Sequence, residues 1–221
     1  MIGRLVLCGA LLAAGAAAGQ EPEKPATAEE IAAATAIADR IIEAADAQGI
    51  FVNTTDSGQA EVTHAASGMT CLFDGDPADR ISIFATVDGR IPRGLDVGCV
   101  SWDEALGIDL SLFATRYQPL PTEAAVMADV QRAIERRWPG AKLYEGELAT
   151  LSLEGQNPTL VAAYQVRLQD EDKLTMALVS HRDAWSFKAR ATGPLADAMG
   201  VSLYTGALFE GALMERGSGD R

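Results

Sequence analysis

The sequence predicts an α+β domain in which an antiparallel sheet packs against helices. Three segments carry apolar residues at helical spacing, and shorter segments between them alternate between apolar and polar residues. Most of the alternating segments are joined by turns that are too short for a crossover between parallel strands. Since strands and helices do not alternate strictly along the chain, their order favours α+β over a parallel α/β fold.

Residues 1–19 are predicted to be a secretory signal peptide. Arg4 supplies the positive charge, residues 5–14 form a short apolar stretch, and residues 16–18 are the small alanines that signal peptidase requires. The apolar stretch is shorter than the roughly 20 residues that a transmembrane helix needs. Residues 20–26 contain two prolines and are predicted to be a linker, followed by one domain at 27–216 and a flexible tail at 217–221.

The domain is expected to begin with a helix. Thr27 and Glu30 have the spacing of a capping box, in which each side chain binds a free backbone amide of the other. Apolar residues recur on one face up to Ala45, and Gly49 ends the segment. Strands are then expected at 51–52, 60–63, 69–73, 81–87 and 108–117.

The second half of the domain is expected to be a helix, a three-stranded meander and a last helix. Thr122 caps the second helix, and Arg136 and Arg137 lie in its last turn, where the helix dipole favours cations. The meander strands are predicted at 160–168, 174–179 and 185–191. The last helix is predicted from Pro194 to about Met214, with an interruption near Gly200.

The charge excludes two classes of partner. The chain has 18 Lys and Arg against 31 Asp and Glu, a formal net charge of −13. Nucleic-acid binding needs a basic stripe that displaces counterions, and an anionic membrane surface attracts basic segments. We therefore expect no nucleic-acid partner. The short apolar run of the signal, with no comparable stretch elsewhere, predicts no transmembrane segment in the mature chain, and the export signal predicts a periplasmic or secreted protein of a bacterium.

Cleavage of the signal would remove Cys8 and leave Cys71 and Cys99. Two cysteines in an exported protein predict one disulfide, with two free buried thiols as the alternative. Cys71 belongs to a predicted strand and Cys99 to an apolar stretch at 97–102. Both are expected at the edge of the same sheet.

Several short motifs carry a family resemblance. They are His64, Ser67-Gly68-Met69, Cys71 with Phe73, Ile81-Ser82-Ile83-Phe84, Asp96-Val97-Gly98-Cys99, Ala114-Thr115-Arg116-Tyr117, the segment 136–141 and the segment 185–192. These motifs resemble a group of uncharacterised exported proteins of alphaproteobacteria, which implies a compartment and a fold but no activity. The order of elements also resembles the photosystem II extrinsic (PsbP-like) proteins and their Ran-binding relatives, whose members mostly bind or assist partners.

Catalytic and metal-binding motifs are sparse. Only His64 and His181 could join a zinc site, and the acidic run at 74–79 has Ala78, Asp79 and Ala85 where a calcium loop needs other residues. That run is expected to be a turn. A nucleophilic site could combine Ser67 with His64 and Asp183, or Ser180 or Ser186 with His181, but no Gly-x-Ser-x-Gly elbow supports either set.

The sequence therefore favours a non-catalytic binding or accessory protein of the cell envelope, with an envelope protein or a small ligand held against the sheet. No metal, cofactor or catalytic residue is assigned. His64 is expected to close a strand end, and Trp102, Trp138 and Trp185 are expected to line the core or a groove. The alternatives are a periplasmic hydrolase using His64 or His181 and a purely structural role.

The signal peptide leads to the first testable prediction. We expect residues 1 to about 19 to be absent from protein isolated from the periplasm, because the small residues before the linker permit cleavage there. Intact-mass measurement of that material checks the prediction. A mass that includes Met1 to Ala18 would contradict it.

Overall fold

A computed structural model describes residues 24–84, 91–149 and 158–214. The predicted signal peptide, the first part of the linker and the tail at 217–221 lie outside these residues, as does the end of the strand predicted at 81–87. Within the described ranges no helix is long and apolar enough to cross a membrane.

The first helix follows the sequence pattern closely. Helix α1 spans Ala28–Ala44, and Thr27 at its N-terminus forms a capping box with Glu30. The Glu30 carboxylate accepts the Thr27 backbone amide at 2.6 Å, while the Thr27 hydroxyl accepts the Glu30 amide at 3.2 Å. Ala34, Ala38, Ile41 and Ile42 are buried, as the predicted apolar face requires.

The strands confirm the α+β class and divide between two antiparallel sheets, where the sequence suggested one. The small sheet has the order β1-β2-β3, with β1 at Phe51–Asn53, β2 at Ala60–His64 and β3 at Thr70–Phe73. The large sheet has the order β4-β5-β6-β10-β9-β8-β7. Its strands are β4 (Arg80–Ile83), β5 (Asp96–Asp103), β6 (Ile108–Thr115), β7 (Lys142–Leu143), β8 (Leu160–Leu168), β9 (Glu171–Arg182) and β10 (Trp185–Pro194).

One face of the large sheet, called here the core face, is apolar across its width. In β6 this face consists of Ile108, Leu110, Leu112 and Ala114, the alternation that the sequence predicted. The small sheet, α1 and the last helix cover it, and their apolar side chains join it in one continuous core. Burial of this face is the main source of the driving force for folding, because apolar area removed from water stabilises in proportion to its size.

The opposite face of the large sheet is only half covered. Helix α2, at Glu123–Arg137, packs on β8 and β9 through a second core that includes Val126, Ile134 and Tyr164. The other half of this face, on β4, β5 and β6, has no helix over it in the described part of the chain. That open half provides the candidate site described below.

The C-terminal helix differs in detail from the sequence-based prediction. Strand β10 runs through Pro194, a 3-10 turn covers Leu195–Asp197, and α3 spans Ala198–Leu213 without interruption. Gly200 lies in the first turn, where its amide donates to the Asp197 carboxylate at 3.1 Å. The glycine therefore belongs to the capped start of the helix and does not break it.

A disulfide joins the two sheets. Cys71 in β3 and Cys99 in β5 are bonded, with their Cα atoms 6.4 Å apart. The predicted pairing is confirmed, but the expectation that both cysteines lie in the same sheet is wrong. The sequence could not distinguish the two cases, because strands of two sheets in contact can bring two Cα atoms as close as neighbouring strands of one sheet do.

The position of this bond leads to a stability prediction. We expect Cys71→Ala combined with Cys99→Ala to lower the free energy of unfolding by about 2–4 kcal/mol, because the unfolded chain loses a constraint between distant residues. The fold should persist, since the shared core does not depend on the bond. Urea denaturation of the double variant and of the reduced parent protein measures the effect. Equal denaturation midpoints with and without the bond would contradict it.

Candidate functional site

The open half of the large sheet borders a concave space with a volume of about 630 Å³, which we call the sheet groove. Its floor is made by side chains that point away from the core face. The loop after β8 and the end of α2 border it. The polar lining consists of Arg80, Ser82, Asp109, Ser111, Arg137, Gln169, Glu171, Lys173, Arg190 and Thr192. The remaining lining consists of Phe84, Gly98, Val100, Trp102, Gly107, Phe113, Trp138 and Leu168.

The strand register brings these side chains together from distant parts of the sequence. Arg80 in β4 pairs with Val100, which pairs with Ser111, and Ser111 pairs with Arg190 in β10. The next row along the groove runs from Trp102 through Asp109 to Thr192. Because facing residues of adjacent strands point to the same side, each row crosses the groove floor.

Gly98 permits the aromatic part of the floor. A Cβ atom placed at this position would lie 2.7 Å from the Phe113 ring and 2.8 Å from the Leu112 carbonyl oxygen. Any larger residue would therefore displace Phe113, whose ring centroid lies 6.0 Å from that of Phe84. The glycine in β5 thus allows the Phe113 ring to lie beside that of Phe84, with an angle of 37° between the ring planes.

The groove is cationic although the chain is strongly acidic. Arg80, Arg137, Lys173 and Arg190 line it, against two carboxylates. Lys173 binds Glu171 at 2.6 Å, the Arg137 guanidinium lies 4.8 Å from the Trp138 ring centroid, and Arg80 donates to the Ala78 carbonyl oxygen at 2.9 Å. None of these contacts involves Arg190.

Arg190 differs from the other groove cations in its hydrogen bonding. Its Nε atom is buried and has no hydrogen-bond partner within the described ranges. Burial lowers the pKa of Arg190, and the nearby charge of Arg137 lowers it further, while Asp109 acts in the opposite direction. A buried N–H group without an acceptor is costly, so an anion bound beside this half-buried guanidinium would be stabilised.

Asp109 faces the same arginines across the groove floor. Partial burial between the groove walls raises the pKa of its carboxyl, and the charges of Arg80, Arg137 and Arg190 oppose that rise. Among the described residues Asp109 forms no ion pair, since no arginine nitrogen lies within 4 Å of its carboxylate. Asp109 and Arg190 therefore line the same groove without forming an ion pair with each other.

A second hollow of about 310 Å³ adjoins the groove between α2 and the strands β6 and β10. Phe113 and Arg190 border both spaces, so the two are adjacent. Lys188 adds a further cation here, with its Nζ atom 5.7 Å from the ring centroids of Phe113 and Tyr117. It also donates to the Tyr117 hydroxyl at 3.4 Å.

His64 closes a strand end, as the sequence suggested. Its Nε2 lies 2.9 Å from the Gly94 carbonyl oxygen and its Nδ1 lies 2.7 Å from the Ser67 hydroxyl. A carbonyl can only accept, so Nε2 carries the proton and Nδ1 accepts from Ser67. The ring is 1% exposed and joins the β2–β3 turn to the loop before β5. Both ring nitrogens are occupied, so Asp183 does not complete a triad with His64.

His181 and Ser186 are direct cross-strand partners on β9 and β10. The backbone amide of His181 donates to the Glu123 carboxylate at 2.8 Å. The Ser186 hydroxyl and the His181 Nε2 are buried and lack partners among the described residues. Ser186 is 0% exposed, so no substrate reaches its hydroxyl in this conformation. Ser180 lies on the other face of β9, where it pairs with Phe187.

The acidic run at 74–79 forms the expected turn. The Asp79 carboxylate accepts backbone amides of Gly75, Asp76 and Trp102, at 2.9, 3.0 and 3.3 Å. Asp76 accepts the amide of Ala78 at 2.7 Å. Within the described ranges no group of three or more His, Cys, Asp or Glu side chains could hold a metal ion.

Sequence reasoning found the aromatic residues of the site but missed its arginines. Trp102 and Trp138 line the groove, whereas Trp185 is buried with its ring centroid 5.3 Å from that of His64. The sequence contained one indication that Arg190 is a surface residue, since it falls on the outward face of a strand that alternates from residue 185 to residue 191. Nothing in the sequence indicated that Arg80 and Arg137 would lie beside it.

Comparisons with known proteins add little to this description. No protein-family model and no curated protein matches the chain. Among solved structures it is similar to a protein of unknown function from Pseudomonas aeruginosa, with 14% identity, coverage of 68% of this chain and 92% of that chain, and a TM-score of 0.36. It is also similar to LpqN, involved in cell envelope biogenesis of Mycobacterium tuberculosis, with 14% identity, coverage of 63% and 85%, and a TM-score of 0.29.

Both of these proteins are bacterial, but similarities this weak support no inference about fold or function. The resemblance to exported alphaproteobacterial proteins and to the PsbP-like fold stays a prediction. The candidate site therefore rests on the geometry of this chain.

The two histidines lead to a pH prediction. Burial lowers the pKa of His64 and of His181 below the ordinary value of 6.5. Just below that pH the unfolded chain binds more protons than the folded chain, so the free energy of unfolding should fall as the pH decreases through this window. Denaturant unfolding between about pH 7.5 and about pH 5.5 measures the change, and NMR titration of the ring protons assigns it. Titration of His64 at or above 6.5 would contradict the prediction.

Proposed function

We propose that this chain is an exported, non-catalytic binding protein of the bacterial cell envelope, and that the sheet groove binds an anionic ligand with an aromatic or apolar part. The observation that carries the proposal is the buried, unpartnered Nε of Arg190 on the groove floor. The predicted signal peptide supports export, and the Cys71–Cys99 disulfide is compatible with an oxidising compartment.

The charge distribution supports an anion as the ligand. With a formal net charge of −13, most of the surface repels anions, whereas the groove presents four cations within one concavity. Charge-assisted hydrogen bonds from a guanidinium are among the strongest polar contacts, and Arg can hold a carboxylate or phosphate through two parallel bonds. Arg137 lies close enough to Arg190 for its charge to lower the Arg190 pKa, and both line the groove, so the two guanidinium groups are placed to act on the same anionic group.

The aromatic residues support an apolar or aromatic part of the ligand. Trp102 and Trp138 border the groove and Phe113 forms part of its floor, so a flat group can stack there while its charged end meets the arginines. A concave site in which aromatic side chains lie beside convergent polar groups is typical of small-molecule sites.

The alternative function, a hydrolase using His64 or His181, has one supporting contact, the Ser67–His64 hydrogen bond at 2.7 Å. Two observations favour binding over hydrolysis. His64 and Ser186 are buried, and neither of the two histidines nor Ser67 lines the sheet groove. Loss of esterase activity in a Ser67→Ala variant would favour the hydrolase.

A charge-removing variant tests the proposed site. We expect Arg190→Gln to weaken binding of the fluorescent anion 1-anilinonaphthalene-8-sulfonate about tenfold or more, since a hydrogen bond to a charged group contributes about 1.5–3 kcal/mol. Arg93→Gln is the matched control, because Arg93 is exposed and pairs with Asp46 outside the groove. Fluorescence titration at low and high salt measures both affinities.

Two outcomes would count against the proposal. Equal affinities of the Arg190→Gln and Arg93→Gln variants would show that the probe does not depend on the buried guanidinium. Equal binding of the uncharged analogue N-phenyl-1-naphthylamine and the sulfonate would show that the site does not select for negative charge.

A further inference from the structure

A separate cavity of about 200 Å³ lies where the two sheets meet α3, and we call it the inter-sheet cavity. The small sheet supplies Leu72, β6 supplies Leu110 and Leu112, and α3 supplies Leu208 and Ala212. Cys99 of the inter-sheet disulfide also lines it. It lies on the core face of the large sheet, whereas the sheet groove lies on the opposite face, and the two spaces share no lining residue.

The cavity exists because small side chains stand where the three elements converge. Ala212 is 5% exposed and faces it from α3. Gly211 beside it also lines the space, and a Cβ atom placed there would meet no atom within 4 Å. Gly211 is exposed, and Leu72 and Leu208 are half-buried, so the space opens to solvent and its apolar walls meet water when no guest is bound.

The polar edge of the cavity carries negative charge. Glu61, which is 3% exposed, is its one ionisable lining residue, and its carboxylate accepts the Thr54 hydroxyl at 2.7 Å. Thr54 contacts Thr63 at 2.9 Å, and Thr63 contacts Thr70, a further lining residue, at 3.3 Å. An anionic guest is disfavoured here, because burial of a charged group among apolar side chains is costly and the cavity lining includes no cation.

We propose that the inter-sheet cavity binds a neutral apolar molecule, or the neutral apolar part of one, about as large as one substituted aromatic ring. In another protein an engineered apolar cavity of about 150 Å³ stays dry and takes up benzene. A space of 200 Å³ with leucine walls has room for such a ring and a short substituent. The guest would remove the apolar area of these leucine side chains from water, which is favourable in proportion to the area covered. This inference is independent of the anion site in the sheet groove.

Toluene and benzoate are suitable probes because they share a ring and differ in charge. We expect toluene to raise the Tm of the wild-type protein and benzoate at the same concentration to leave it unchanged. Ala212→Leu places a larger side chain in the cavity and should weaken toluene binding about tenfold or more. Ala124→Leu is the matched control, since Ala124 is exposed on α2, and it should leave toluene binding unchanged.

A second variant and a direct measurement keep the test decisive. Ser101→Val fills the cavity from β5 and should act like Ala212→Leu. If both fillers fail to fold, toluene should still shift the methyl NMR signals of Leu112 and Leu208 in the wild-type protein. The inference is overturned if toluene moves neither the Tm nor these signals, if the fillers and Ala124→Leu bind it equally, or if benzoate binds as well as toluene.

Discussion

Burial of the core face of the seven-stranded sheet is the constraint on which the rest of this structure depends. Alternation along β6 and β10 gives that face a continuous apolar surface, and a sheet with such a surface must pack against other elements. The small sheet, α1 and α3 meet this requirement together, and the Cys71–Cys99 bond links the small sheet to the large one. His64 strengthens the same junction by joining the β2–β3 turn to Gly94.

The incomplete cover of the opposite face creates the candidate binding site. Helix α2 is long enough to cover β8 and β9 but leaves β4, β5 and β6 open. The groove-facing residues of these strands include cations and aromatic rings, a composition that fits the proposed binding site better than an unfinished core. The acidic net charge of the chain increases the contrast, because an anion is repelled by the chain as a whole and attracted where Arg190 and its neighbours converge.

The two proposed sites follow from two different imperfections of packing. The sheet groove is a face without a covering helix, whereas the inter-sheet cavity is a gap between elements that do cover their sheet. Their chemistry differs accordingly. Cations surround the first, and leucines with one carboxylate surround the second. A single amphipathic ligand could not bridge them, because the sheet itself separates the two spaces.

The sequence alone determined the helix caps at Thr27 and Thr122, the alternation of the β6 strand and the β9–β10 hairpin, because each depends on residues close in sequence. It also determined the cysteine pair, because only two cysteines remain after the predicted signal cleavage. Only the tertiary structure decided that the strands form two sheets and that the disulfide joins them. It also decided that Arg80, Arg137 and Arg190 converge on one surface. These features depend on contacts between residues tens of positions apart, and a local pattern shows which face a residue takes but not which distant strand lies beside it.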